Sequence, residues 1–411
     1  MMTYAQKQAN ASYLGIATIL AVAFLAMASS SVPSPLYPLY QQRFGMSVGA
    51  TSAVYAVYAA GVLLTLFFSS RVNLNPFRKR TLVFGVLGLL LSCVVFCLAS
   101  NLTVLLIARL LQGVGIGMIT GVAGAALGRL VAPAAGHIAA YSYSAATTLG
   151  IALGGVGSGW LAQIADDSVI LPFVVLGTAC AMVLALVVFG LSSRIDSRGG
   201  SHAVTSSKSI SDLLGGVRSE FTVGASGLFA AWAVGGVYLA LGSTVTADAF
   251  GEGRLVLGAL CLVLVQGVGG VVQVIVSVRY SDIEPRRLYV VGLVCLLAGV
   301  VVAAFSLALG WNVMFFVAAG VSGIGFGLTY MASTSILQTA SPADRVGRIM
   351  SMYFSVGYVA ISIPALLAGI LVDVSGTVSV MVGFAVVMIV VSAWCMYGLA
   401  QMRRRQASYT N

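Results

Sequence analysis

Apolar and polar residues are segregated along this chain into long blocks. Twelve apolar stretches fall at about residues 12–33, 49–70, 81–99, 102–128, 138–163, 169–192, 221–246, 254–277, 288–308, 312–336, 347–372 and 377–400. Their lengths match the ~20 residues that a helix needs to cross ~30 Å of hydrocarbon. A backbone in lipid must satisfy its own hydrogen bonds, which leaves helices or closed barrels. The ten-residue alternation of barrel strands is missing, so an all-α membrane protein of twelve transmembrane helices is predicted. Between the sixth and seventh stretches, residues 193–220 combine Ser, Gly and mixed charge, the composition of a flexible linker. The expected organisation is a six-helix bundle over 1–192, a cytoplasmic linker over 193–220 and a second six-helix bundle over 221–411. The halves echo one another. Arg71, Arg78 and Lys79 correspond to Arg279, Arg286 and Arg287 at a constant offset of 208 residues.

Composition agrees with the pattern. Of 411 residues, 59% are hydrophobic and 8% charged, against about 25% charged in soluble domains. So little charge cannot cover a soluble globule, and the lipid bilayer is the expected surroundings. The net charge of +10 is dispersed among loops rather than gathered on one face, which argues against nucleic acid as a partner. Those loops fix an orientation instead. Eighteen of the 21 Lys and Arg residues fall in one set of connections; only Arg43 and Arg254 fall in the opposite set, and Arg109 lies within a span. Basic residues favour the cytoplasmic side, so both termini and the linker are expected in the cytoplasm, with the chain multi-pass in the cell (inner or plasma) membrane. The first stretch has a small-residue site at Ala26-Met27-Ala28 like that of a signal peptide. Its apolar run continues past that site, so it is read as an uncleaved span. The six cysteines all lie inside apolar runs, and there are only two histidines, His137 and His202. The cysteines read as small buried hydrophobes; no metal site, disulfide framework or cofactor is expected.

Several segments carry candidate chemistry. The fourth stretch contains Arg109-Leu110-Leu111-Gln112-Gly113-Val114-Gly115. A mid-helix arginine costs about 2.5–3.5 kcal/mol on insertion scales and normally faces a cavity or a partner. Gln112, three residues on, shares its helix face. A snorkelling or purely structural arginine is the alternative. The fifth stretch carries Gly150, Gly154 and Gly159, small residues that let helices approach closely. Pro33, Pro35 and Pro38 are expected to end the first helix.

These segments resemble the major facilitator superfamily, and within it the twelve-span drug–proton antiporter type. The fourth stretch is similar to that family's Arg-x-x-Gln-Gly-x-Gly pattern. The family's loop between spans two and three reads Gly-x-x-x-Asp-Arg-x-Gly-Arg-Arg/Lys. Here Arg78 and Lys79 keep the basic end, but Ser70, Leu74 and Phe77 replace both glycines and the acid. In the second half Asp282 holds the acid position before Arg286 and Arg287. The antiporter pattern Gly-x-x-x-Gly-Pro-x-x-Gly-Gly is met by Gly150, Gly154 and Gly159, with Gly155 and Ser158 replacing the proline and a glycine. Pro364 and Gly369 are the candidate second-half counterpart. The resemblance implies two related halves, an arrangement recurrent in transporters, and alternating access. It also implies a proton-coupling or cavity role for Arg109 and Gln112, and a cytoplasmic lock resting on Asp282 with Arg345 or Arg348.

The family's cavity is lined by spans 1, 2, 4, 5, 7, 8, 10 and 11. The candidates there are Tyr55, Tyr58, Tyr143, Trp232, Tyr238, Gln266, Gln273, Tyr330, Tyr353 and Tyr358, with Thr147 and Thr334. Aromatics and amides suit an amphipathic organic substrate; each can equally be a helix-packing residue. No Asp or Glu falls inside a span: Asp166, Asp167, Asp248, Glu252 and Asp373 read as outer-loop acids. An embedded carboxylate, which desolvation would make titrate near neutrality, is therefore missing. Proton coupling must then use Arg109 indirectly, a loop-edge acid such as Asp248, or the substrate itself; otherwise the chain is a uniporter. Arg109 favours neutral or anionic compounds over divalent cations. The expected function is secondary active transport of a small molecule by a monomer, with export of amphipathic organic compounds leading. A sugar, organic-acid or other metabolite carrier is the alternative. A non-transporting membrane sensor, or an enzyme, would need a soluble domain or a polar catalytic cluster that the sequence lacks.

Overall fold

The computed structural model describes residues 4–46, 48–72, 74–131, 136–166, 168–191, 195–196, 210–250 and 260–410. Among them, twelve helices are long and apolar enough to cross a membrane: Tyr13–Phe44, Ala53–Arg71, Arg78–Cys97, Leu102–Gly128, Gly136–Ile164, Leu171–Gly190, Arg218–Gly242, Leu260–Arg279, Pro285–Ala308, Val313–Ala340, Val346–Val372 and Val374–Arg404. They are spans one to twelve. Their outward faces are apolar: Phe189, Val278 and Val313 are each more than 70% exposed. A belt of large exposed hydrophobics has lipid, not water, as its solvent. Most of the expected linker lies outside the described residues, with Arg194, Arg198, His202 and Lys208; so do Asp167, Glu252 and Arg254.

The chain forms two compact units. One comprises Met1–Leu213 with Ser341–Ser355, the other Leu214–Ala340 with Val356–Asn411. In the first unit, small residues on span four admit its neighbours closely. A Cβ at Gly113 would run into the backbone of Tyr58 and Val62 on span two, and one at Gly115 into the backbone of Gly85 and Leu89 on span three. Close approach of this kind supplies the van der Waals packing that holds helices together in lipid. In the second unit, Gly236 on span seven meets Ile361 on span eleven, and Gly327 on span ten meets Gly269 on span eight.

Three elements depart from the sequence expectation. Pro33, Pro35 and Pro38 do end the first α-helix, at Ser31, but the chain then continues helically instead of passing into a loop. After a 3-10 turn at Ser34–Leu36 the chain resumes as Tyr37–Phe44 and stops at Gly45, whose φ is 61°. Proline suits a first helical turn, where its missing N–H has no partner to lose, and Pro35 and Pro38 each stand at such a start. Asp248 and Asp373, expected in loops, lie on helices Arg218–Phe250 and Val346–Thr410; the latter is broken at Gly376, with φ 76°. The third departure is at the basic loop motif. Arg78 is buried and donates from Nη1 to the carbonyl of Ile195 at 2.9 Å. Lys79 Nζ donates to the carbonyls of Val188 (2.9 Å) and Leu191 (2.6 Å), the free end of span six. The Lys79 backbone N–H donates to Asp196 Oδ1 at 3.0 Å.

Asp196 thus caps the first turn of span three, satisfying a helix-end donor and placing negative charge at the positive end of the dipole. Asp196→Ala is expected to destabilise the protein by about 1 kcal/mol, within the 0.5–2 kcal/mol range for lost caps. Asp196→Asn, which keeps the acceptor, should retain most of it. Thermal unfolding in detergent micelles is the measurement; an unchanged midpoint for Asp196→Ala would remove the cap from the account.

Candidate functional site

In the first unit, polar chemistry concentrates on Arg109. The residue is completely buried on span four and makes four hydrogen bonds. Its Nε donates to Tyr37 Oη at 3.1 Å, and Nη2 donates to the same oxygen. Its Nη1 donates to the carbonyl of Ser30 at 3.2 Å and to Gln112 Oε1 at 2.6 Å. Gln112 in turn donates from Nε2 to the carbonyl of Ser29 at 2.7 Å. The Ser29 carbonyl is available because its helical donor would be residue 33, a proline without an N–H. The Ser30 carbonyl lies at the helix end, where the last carbonyls have no helical donor. Four aromatic rings surround the guanidinium, with centroids at 5.5 Å (Tyr37), 5.5 Å (Tyr55), 5.3 Å (Tyr58) and 5.9 Å (Phe96). Each cation–π contact contributes about 0.5–2 kcal/mol, more when desolvated. None of the hydrogen-bond partners of Arg109 is a carboxylate, and no Asp or Glu whose side chain is described is buried. Among the described residues, the charge is solvated by dipoles and π-faces.

Span five packs on span one beside this cluster. A Cβ at Gly150 would collide with the Phe24 carbonyl, and one at Gly154 with the Ala28 carbonyl and Ser31 Oγ; Gly159 sits at ordinary contact distance, 3.4 Å, from Pro35. Ser31 Oγ donates to Ile151 O at 2.8 Å, and Ser158, in place of a family glycine, donates to Val32 O at 2.5 Å. By contrast, Gly369 on span eleven faces open space. The second unit's comparable close contact is made by Gly236.

The remaining aromatic candidates divide. Tyr143 packs against Phe354, with centroids 6.2 Å apart, and Phe354 against Tyr353 at 5.1 Å. All three stand apart from Arg109. In the second unit, Trp232 meets Tyr330 at 5.8 Å and Tyr358 at 5.3 Å, both edge-on. Tyr238 lies elsewhere, against Phe315 at 5.6 Å with its hydroxyl 3.2 Å from Ser322 Oγ. Gln273 donates to the Gly327 carbonyl at 2.9 Å and so ties span eight to span ten. Gln266 is buried in a π-helical turn, Val263–Gly267. Of the loop residues, Arg286 lies 3.6 Å from Glu284; Asp282 and Arg287 are exposed. Arg345 lies 3.7 Å from Asp344 and donates to the carbonyls of Asp212 and Leu213.

Sequence reasoning missed two participants. Tyr37 was hidden because it lies beyond the prolines expected to end span one; its signal is the Pro-Leu-Tyr stretch itself. Asp196 reads as one more linker acid, and nothing local marks it as a cap.

Comparison with known proteins places this arrangement. A Bacillus subtilis (strain 168) protein described as an uncharacterized MFS-type transporter, YceJ, is 22% identical over 404 residues, spanning 94% of this chain and 96% of the relative. Among solved structures, the proton:xylose symporter XylE is similar with a TM-score of 0.75 at 12% identity, covering 96% of each chain. The human organic anion transporter MFSD10 is similar with a TM-score of 0.70 at 15% identity, covering 93% of this chain and 99% of that one. The E. coli fucose:proton symporter FucP has a TM-score of 0.69 at 14% identity, covering 94% and 99%. The sequence matches the Major Facilitator Superfamily over residues 19–363, and with twelve spans and this fold the chain belongs to that superfamily of membrane transporters.

Proposed function

We propose that the protein is a secondary active transporter that works by alternating access and exports small amphipathic organic compounds, neutral or anionic. The observation that carries the reading is the Arg109 cluster. A buried cation held only by neutral groups leaves a positive potential that an anionic or strongly polar ligand relieves. A dicationic drug would meet no buried counter-charge there. Export is supported by the close packing of Gly150 and Gly154 on span one, the segment that resembles the antiporter pattern. The charge asymmetry of the loops supports both termini in the cytoplasm. With no buried carboxylate among the side chains described, a coupled proton travels with an acidic substrate, acts through Arg109, or uses a loop-edge acid such as Asp248.

The test is efflux from proteoliposomes of carboxyfluorescein (anionic), Nile red (neutral) and ethidium (cationic), with and without a pH gradient. The anionic and neutral dyes are expected to move, and faster with the gradient, since each pH unit contributes about 1.4 kcal/mol per proton. Preferential ethidium efflux would overturn the charge preference; equal rates with and without the gradient would exclude coupling. A carrier of sugars or similar metabolites is the second reading, favoured by the buried amides Gln266 and Gln273, and saturable D-xylose flux in the same vesicles would select it.

A further inference from the structure

Two thiols meet between spans three and six of the first unit. Span three presents Cys93 and Phe96 at a spacing that shares one helix face, and span six presents Phe173, Gly177 and Cys180 likewise. The faces mesh turn by turn. Phe96 stacks on Phe173, with centroids 4.2 Å apart and planes 7° from parallel. One turn deeper, a Cβ at Gly177 would lie 3.4 Å from the Cβ of Cys93. Beyond it, the Cys93 and Cys180 thiols are hydrogen-bonded to each other. Gly177 is what lets them meet. With no side chain there, span six approaches until Cβ positions come as close as the ~3.5–4.5 Å that separates them across a disulfide.

Both thiols are free, and neither residue is more than 2% exposed. Burial keeps water-borne reagents away, while contact makes closure of the pair an intramolecular step. Cys93 is one turn before Cys97, the last residue of span three. On the orientation proposed above this is the outer end, the side on which disulfides persist. We infer that Cys93 and Cys180 are a redox-active pair that closes to an intramolecular disulfide, tying span three to span six. The oxidant is dioxygen, small and apolar enough to enter the membrane interior. Each thiol gives up one proton and one electron, and the S–S bond forms. One O2 takes the two protons and two electrons and leaves as hydrogen peroxide. The bond closes the chain into a loop over residues 93–180 and so restricts the unfolded chain. It also braces Phe96, whose ring centroid lies 5.9 Å from the Arg109 guanidinium. Closure of the pair needs the proposed orientation only for its side of the membrane and does not depend on transport.

Thiol counting tests the pair. The purified full-length parent carries Cys97→Ser and Cys295→Ser, which removes the two cysteines that are not buried and leaves four of the six. It is oxidised in air with copper–phenanthroline as catalyst, then denatured and titrated with dithiobis-nitrobenzoate. The count should fall from four thiols to two. Adding Cys93→Ala or Cys180→Ala should hold it at three before and after oxidation. Fragment mass spectrometry of the oxidised parent should find the peptides of Cys93 and Cys180 joined, two hydrogen atoms lighter than their sum. That measurement changes neither position and serves if the alanine variants fail to fold. The oxidised parent should also melt higher than the reduced one, a shift that dithiothreitol reverses. Four thiols after oxidation, a link between any other two cysteines, or an unchanged melting midpoint overturns the pair. Failed dye efflux by a protein that does lose two thiols counts against the transport reading alone.

Discussion

Arg109→Lys lowers transport at least tenfold while the protein still folds. Lysine keeps the charge but not the fork. The guanidinium reaches Tyr37 Oη from two nitrogens and Ser30 O and Gln112 Oε1 from the third. An ammonium on a flexible stem cannot span these three acceptors in one geometry. Hydrogen bonds to charged groups contribute about 1.5–3 kcal/mol each, so losing even one corresponds to roughly a tenfold effect or more. Folding should survive because the aromatic rings around Arg109 still accept a cation. Tyr37→Phe is the matched control: it removes the hydroxyl that accepts two of the bonds, keeps the ring, and should reproduce much of the loss. The measurement is initial efflux rate of the best-transported dye in proteoliposomes, beside the size-exclusion profile and melting midpoint of each variant. Full-rate transport by Arg109→Lys would make Arg109 a structural cation and remove the observation on which the proposed function stands.

The fold was legible because lipid imposes a simple rule on sequence. Each crossing needs an apolar run of fixed length, and the wrong side of each run repels basic residues. Twelve runs were read and twelve helices stand there among the described residues. The site was only partly legible. Arg109 and Gln112 announce themselves because polar residues in an apolar run are rare, and their three-residue spacing brought them within 2.6 Å. Tyr55 and Tyr58 followed from the same periodicity and do flank the guanidinium. Tyr37 did not, because proline was taken as a stop when its position at a new first turn made it a start. Tyr143, Tyr238 and Gln273 have the right composition for a cavity, and each also contacts a residue of another helix. Side-chain type cannot separate a ligand contact from an interhelical one, since both need an amide or a phenol at a buried position. Asp196 was invisible for a different reason: its role depends on a contact 117 residues away in sequence, which no local pattern encodes.

Gly154→Ala and Gly157→Ala are expected to have opposite effects, although they make the same chemical change one turn apart on span five. In an ordinary helix the change gains about 0.5–1 kcal/mol by relieving glycine's backbone entropy. Gly157 has nothing within 4 Å of a Cβ, so Gly157→Ala should raise the melting midpoint or leave it unchanged. At Gly154 the new methyl meets the carbonyl and Cα of Ala28 as well as Ser31 Oγ. Two of those atoms are backbone, which cannot rotate away, so span one must shift. Overpacking of this kind costs about 1–3 kcal/mol, which outweighs the propensity gain. The shift also pulls on the bond from Ser31 Oγ to Ile151 O and on the carbonyls of Ser29 and Ser30 that hold Gln112 and Arg109. Gly154→Ala should therefore lower both the melting midpoint and the efflux rate, and Gly154→Leu should do so more severely. Melting curves of the three variants in one detergent decide the matter. If Gly154→Ala is as stable as Gly157→Ala, spans one and five are not in backbone contact at this turn, and the exporter-like packing loses its physical basis.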